Sequence, residues 1–307
     1  MIKNFFITVL ILILLGLSVF VGLRTHRSKE KVMDFNGGQR RYRIHLPDDY
    51  QPSKEYPLVV ALHGVSFGAR MMELNTGLSR LADKEGFIVV YPYGTRQNKF
   101  SLYSWDSKFC CKFAFEKRVD DVGFVASLIN QVKSEYGVDG SRVFLTGHSN
   151  GGMLAHLVAL KHPDKVKALA TVSSAIGGTL LKEGDFYLPE KTYSPTPVLL
   201  INSKDDPFVP FDGGNSSGFD IYSFSSTYDA VNFWLENNEC SKHPSEISKQ
   251  DEFSKESYLE CKDGADVVLL AYNGAHTWPG GAKEFMKNIS GQSISASELI
   301  WEFFSSH

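Results

Sequence analysis

Short, largely apolar runs recur along the chain at residues 58–62, 87–91, 143–146, 168–173, 198–202 and 267–271. Runs of this length without alternation suit strands covered on both faces. Between them lie helix-period patterns at residues 69–85, 120–136, 150–162, 228–236 and 295–304. Asp120 and Asp121 open the second of these helices and read as its cap. Buried strands alternating with amphipathic helices imply right-handed crossovers and a mostly parallel sheet. Ahead of them, residues 32–35 and 41–46 flank Asn36-Gly37-Gly38, a hairpin signal that adds antiparallel strands at one edge. Residues 177–197 and 240–264 are rich in Ser, Lys and Glu and read as irregular surface decoration. The expected fold is α/β, with a mostly parallel central sheet flanked by helices over residues 32–307.

One stretch breaks this pattern. Residues 5–23 carry no charged side chain, with Lys3 before them and Arg24, Arg27, Lys29 and Lys31 after. As a helix, the run can cross a hydrocarbon core of about 30 Å. No small-residue cleavage site follows it clearly. Residues 1–31 therefore read as an N-terminal hydrophobic helix, either membrane anchor or signal peptide, with a basic linker. The heavier charge on its C-terminal side argues, by the positive-inside rule, against export of the remaining chain.

Composition narrows the chemistry. The 307 residues are 43% hydrophobic, 13% aromatic and 22% charged, an ordinary globular balance. With 32 basic against 35 acidic residues there is no broad basic surface for nucleic acid. No glycine-rich nucleotide loop is present, so no cofactor is expected. No His joins the cysteines at zinc-ligand spacing, so no metal is expected either.

The chemical signal is Gly147-His148-Ser149-Asn150-Gly151, a G-x-S-x-G pentapeptide. It follows a predicted strand and opens a predicted helix, the context in which a serine is lifted above a sheet as a nucleophile. A serine hydroxyl needs a base. Only His243, His276 and His307 lie beyond the helix that Ser149 opens, and only His276 stands just past an apolar strand. Asp205 and Asp206 come after the preceding strand. Pro207 and Pro210 fix the loop after Asp206, which favours Asp206 as the carboxylate that orients the histidine. Backbone N–H groups of Asn150 and Val65 are the expected oxyanion donors, with Gly64 permitting close approach. His63, His148 and Trp278 are the candidate pocket residues; for Trp278, packing under its loop is an equal reading. Tyr222, Phe224 and Tyr228 fit a cleft lining or the core.

These stretches, together with Tyr91-Pro92-Tyr93-Gly94-Thr95, Val119-Asp120-Asp121-Val122-Gly123-Phe124 and His276-Thr277-Trp278-Pro279-Gly280, resemble a family of α/β-hydrolases. It is that of the polyhydroxybutyrate depolymerases and the feruloyl or acetylxylan esterases. The resemblance implies an exported carboxylic-ester hydrolase with its triad at Ser149, Asp206 and His276. It also implies a bridge near Cys240 and Cys261, and aligns Cys110-Cys111 with a Cys-Cys segment after a tryptophan, here Trp105. Whether Cys110 and Cys111 are free, buried together or bonded stays open. A cysteine bridge belongs to an oxidising compartment, which outweighs the charge asymmetry beside residues 5–23. The chain departs from the family at Asn202-Ser203, where a His-Gly pair is usual, and over residues 177–197. Two rivals remain: a serine peptidase of the same fold, and a non-catalytic binding protein tethered to the membrane.

Overall fold

The computed structural model describes residues 28–66, 68–182, 184–218, 221–250, 253–281 and 294–307. The apolar run at residues 5–23, read as anchor or signal, lies outside the described residues. Among the described residues no helix is long and apolar enough to cross a membrane.

The strands are β1 (Lys29–Phe35), β2 (Gly38–His45), β3 (Tyr56–Leu62), β4 (Ile88–Pro92), β5 (Val138–His148), β6 (Ala168–Val172) and β7 (Gly178–Leu180). They continue with β8 (Val198–Ser203), β9 (Gly214–Asn215), β10 (Tyr222–Phe224), β11 (Glu246–Lys249), β12 (Phe253–Tyr258) and β13 (Val267–Tyr272). Ten of them form one sheet in the order β1-β2-β4-β3-β5-β6-β8-β13-β12-β11 among the described residues. The strands from β4 through β13 in that order are parallel. An antiparallel pair completes the sheet at each end.

Alternation along β3 shows how the sheet is covered. Leu58, Val60 and Leu62 face one buried layer, which includes residues of α4 (Asp121–Glu135), α5 (Asn150–Lys161) and α6 (Thr227–Asn237). Val59 and Ala61 face the other, built with α1 (Ala69–Thr76), α2 (Leu78–Glu85) and α7 (Ala296–Ser305). A short α3 (Lys112–Glu116) lies in a stretch that had no helical pattern.

Several expectations need correction. The helix expected over residues 69–85 is two helices, broken where Gly77 takes φ 67° and its N–H caps the Glu73 carbonyl. Helical periodicity persists across such a break, and only the glycine marks it. Residues 240–264 are not irregular, because they contain β11 and β12. Every β11 residue is exposed, so this edge strand has no apolar run to announce it. Residues 177–197 contribute β7, which pairs with β10 in a second, three-stranded sheet. Asp120 caps α4 by accepting from the Gly123 N–H at 2.9 Å. Asp121 does a different job, pairing inside the protein with Arg40 at 2.7 Å. Cys240 and Cys261 are bridged, tying the end of α6 to the turn before β13, and Cys110 and Cys111 are bonded to each other.

Candidate active site

The candidate residues all follow the carboxyl ends of parallel strands, where ligands meet in open α/β sheets. His63, Gly64 and Val65 follow β3, Ser149 follows β5, Asp206 follows β8 and His276 follows β13.

Ser149 occupies the turn from β5 into α5 with φ 53° and ψ −124°, a conformation an L-residue adopts only when its surroundings enforce it. The enforcement is steric. A Cβ on Gly147 would stand 2.6 Å from the Gly152 nitrogen, and one on Gly151 would stand 2.7 Å from the Leu62 carbonyl carbon. Only glycine lets these backbones approach so closely. The Ser149 N–H donates to the Val172 carbonyl at 2.9 Å, tying the turn to the neighbouring strand. The side chain thus stands at the positive end of α5.

His276 Nδ1 lies 2.7 Å from Asp206 Oδ2. The other carboxylate oxygen, Oδ1, accepts the N–H groups of Phe208 at 2.8 Å and Val209 at 3.0 Å. The Asp206 side chain is 1% exposed and that of His276 14%, so the carboxylate is held inside while the ring reaches the cleft. With Nδ1–H donated to the carboxylate, Nε2 is left as the acceptor. Asp205 is exposed and is not part of this pair. The His148 ring, one residue before Ser149, stands 5.0 Å from that of His276, and the Phe208 ring stands 5.2 Å from it.

Asn150 is the first residue of α5, where a backbone N–H has no intrahelical acceptor. Its side chain has a role the sequence did not reveal. Oδ1 accepts the Trp105 N–H at 2.8 Å, and Nδ2 donates to the Trp105 carbonyl at 3.1 Å. The Trp105 indole N–H in turn donates to the His63 carbonyl at 2.7 Å. The loop at Trp105 therefore locks the two turns that carry the expected oxyanion donors. Val65 packs on a buried cluster that contains the Cys110–Cys111 pair, Met153, Val209 and Phe224.

A cavity of about 180 Å³ opens at the site, lined by His63, Met71, Met72, His148, His276 and Trp278 among others. His63 contributes wall, not reactive nitrogen. Its Nδ1 lies 2.6 Å from the Gly64 carbonyl and its Nε2 accepts the Gly94 N–H at 3.0 Å. Burial holds this ring neutral, with its pKa pushed down to about 4. His148 is pushed down to about 3 by burial and then by the charge His276 can carry. Trp278 both lines the cavity and packs under its loop, its indole N–H donating to Ser297 Oγ at 3.0 Å. Met71 and Met72 are lining residues that sequence reasoning missed; their only signal was their place on the helix after the His63-Gly64 turn. Tyr222 and Phe224 belong to the core, and Tyr228 is at the surface, bonded to Glu256.

Residues 35–253 match the family model described as "Putative esterase". The acetylxylan esterase/xylanase XynS20E of Neocallimastix patriciarum is 28% identical over 55% of the chain, and feruloyl esterase B of Piromyces equi is 25% identical over 82%. The chain spans 22% and 45% of those two proteins' lengths. Among solved structures, an acetyl xylan esterase from Aspergillus awamori superposes with TM-score 0.60 at 14% identity, over 91% of this chain and 100% of that one, a likeness of fold. The match over most of the chain makes this protein a member of the esterase family, a serine carboxylic-ester hydrolase on an α/β-hydrolase frame.

Proposed function

We propose that the chain hydrolyses esters through Ser149 as nucleophile, His276 as general base and acid, and Asp206 as the orienting carboxylate. The observation that carries this reading is the 2.7 Å bond between His276 Nδ1 and Asp206 Oδ2, at the sheet edge where Ser149 is held at positive φ. Ser149 Oγ attacks the ester carbonyl while His276 Nε2 takes its proton. The N–H groups of Asn150 and Val65 receive the oxyanion, each worth about 10²–10³ in rate. His276 returns the proton to the departing alcohol, and water then frees the acid by the same steps. Asp206 holds the ring in place and stabilises the imidazolium.

The substrate is an acetyl or aromatic acyl ester of a carbohydrate. The names of the two curated relatives support this choice over hydroxybutyrate oligoesters, and a small cavity walled by Met71, Met72 and Trp278 suits such an acyl group. Residues 32–307 are the catalytic domain and act outside the cytoplasm, with residues 5–23 as tether or leader. Both disulfides support an oxidising location. The test is a panel of methyl ferulate, acetylated xylan, hydroxybutyrate oligomers and a dipeptide amide. Turnover of either of the first two supports the reading. Exclusive turnover of the oligoester or the amide contradicts the substrate assignment.

A further inference from the structure

His276 reaches the cleft from a loop, so its position depends on what fixes that loop's backbone. Three hydroxyls from the strand ends do so. Ser203, the last residue of β8, donates to the Gly274 carbonyl. Tyr272, the last residue of β13, places its hydroxyl 3.1 Å from the Thr277 carbonyl and 3.4 Å from that of Ala275, the two residues flanking His276. Ser173, just past β6, has its Oγ 3.4 Å from the same Thr277 carbonyl. The Tyr272 side chain packs in the core beneath the loop, and burial raises its pKa, so the hydroxyl remains a donor across the working pH range.

We propose that Tyr272 is a positioning residue for ester hydrolysis: its hydroxyl grips the peptide on both sides of His276 and aims the imidazole at Ser149 and the leaving oxygen. This rests on the reading of His276 as base. One hydroxyl carries one proton, so at any instant it donates to one of the two carbonyls, the nearer being Thr277. Without it, the Ser203 and Ser173 contacts at Gly274 and Thr277 persist. Among the described residues the Ala275 carbonyl then keeps only the Thr277 hydroxyl, at 3.4 Å, which belongs to the loop itself and ties it to nothing in the core.

The chemistry supplies a readout that folding alone does not move. In acylation, His276 takes the serine proton and delivers it to the departing oxygen. A p-nitrophenolate leaves without that proton, whereas a methoxide does not. A displaced imidazole therefore costs more on a methyl ester than on a p-nitrophenyl ester of the same acyl group.

The experiment compares kcat and KM of the full chain, Tyr272→Phe, Ser173→Ala and His276→Ala on both esters. Phenylalanine keeps the ring packing and removes only the hydroxyl. Tyr272→Phe is expected to lose about tenfold in kcat/KM on the methyl ester and no more than about threefold on the p-nitrophenyl ester, with the loss in kcat. Ser173→Ala, which removes the second donor to Thr277, should shift the same ratio in the same direction. Equal losses on both esters, or unchanged rates in Tyr272→Phe, would overturn the proposal while a dead His276→Ala leaves the base assignment standing. An active His276→Ala would overturn both.

Discussion

Three histidines are buried as neutral rings: His63, His148 and His156. Burial pushes their pKa values down to about 4, 3 and 3. In an unfolded chain each would titrate near about 6.5. The unfolded state therefore binds protons more tightly, and the stability these groups contribute is fully present above that pH and lost as pH falls toward 4. Asp121 works in the opposite sense. Burial pushes it up to about 6 despite its ion pair with Arg40, so its contribution favours the folded state below that pH. In the window between roughly pH 6 and 4, three protons oppose one. The net of two gives a stability loss of about 3 kcal/mol for each pH unit, large beside a typical total of about 5–15 kcal/mol. His156 isolates one of the three. It lies on α5, away from the cavity, with Nδ1 accepting the Trp234 indole N–H at 3.1 Å and Nε2 without a partner among the described residues. Replacing it by Gln keeps an acceptor for Trp234 but cannot take a proton, so the slope should halve. Urea unfolding at pH 7, 6, 5 and 4.5, for wild type and His156→Gln, measures both slopes. Wild-type stability that is flat from pH 6 to 4.5, or a variant slope equal to that of wild type, would show that burial does not hold these rings neutral.

Other expectations arise from single contacts. Asp206→Asn keeps the shape but removes the charge that orients His276, and steady-state kinetics should show kcat down by about 10³–10⁴ with KM little changed. Gly151→Ala drives a methyl into the backbone at Leu62 and His63; soluble yield and ester hydrolysis should both collapse, with stability reduced by more than about 3 kcal/mol in denaturant titrations. Replacing Cys240 and Cys261 together by Ser opens a loop of sequence separation 21, and the urea-derived stability should fall by about 3 kcal/mol.

What the sequence made legible was whatever backbone geometry dictates locally. The six parallel strands are buried on both faces apart from the exposed start of β5 at Gly140, Ser141 and Arg142, so their buried stretches had to be largely apolar runs. The Ser149 turn was readable because Gly147 and Gly151 have no substitute where β5, α5 and the end of β3 converge. Edge strands obey no such rule, and β11, exposed along its whole length, passed for a loop. Long-range side-chain contacts were equally silent. Nothing in the spacing of Trp105 and Asn150 announces that one hydrogen-bonds the other, nor that His63 spends both ring nitrogens on Gly64 and Gly94. Met71 and Met72 look like any helical apolar pair until α1 is laid beside Trp278.

The nucleophile is the point on which the rest depends. The full chain and Ser149→Ala should be exposed to a fluorophosphonate probe, and hydrolysis of a p-nitrophenyl ester measured in parallel. One equivalent of label on Ser149 is expected to abolish hydrolysis, and Ser149→Ala to be folded, unlabelled and inactive. Label or turnover persisting in Ser149→Ala would contradict Ser149 as the nucleophile.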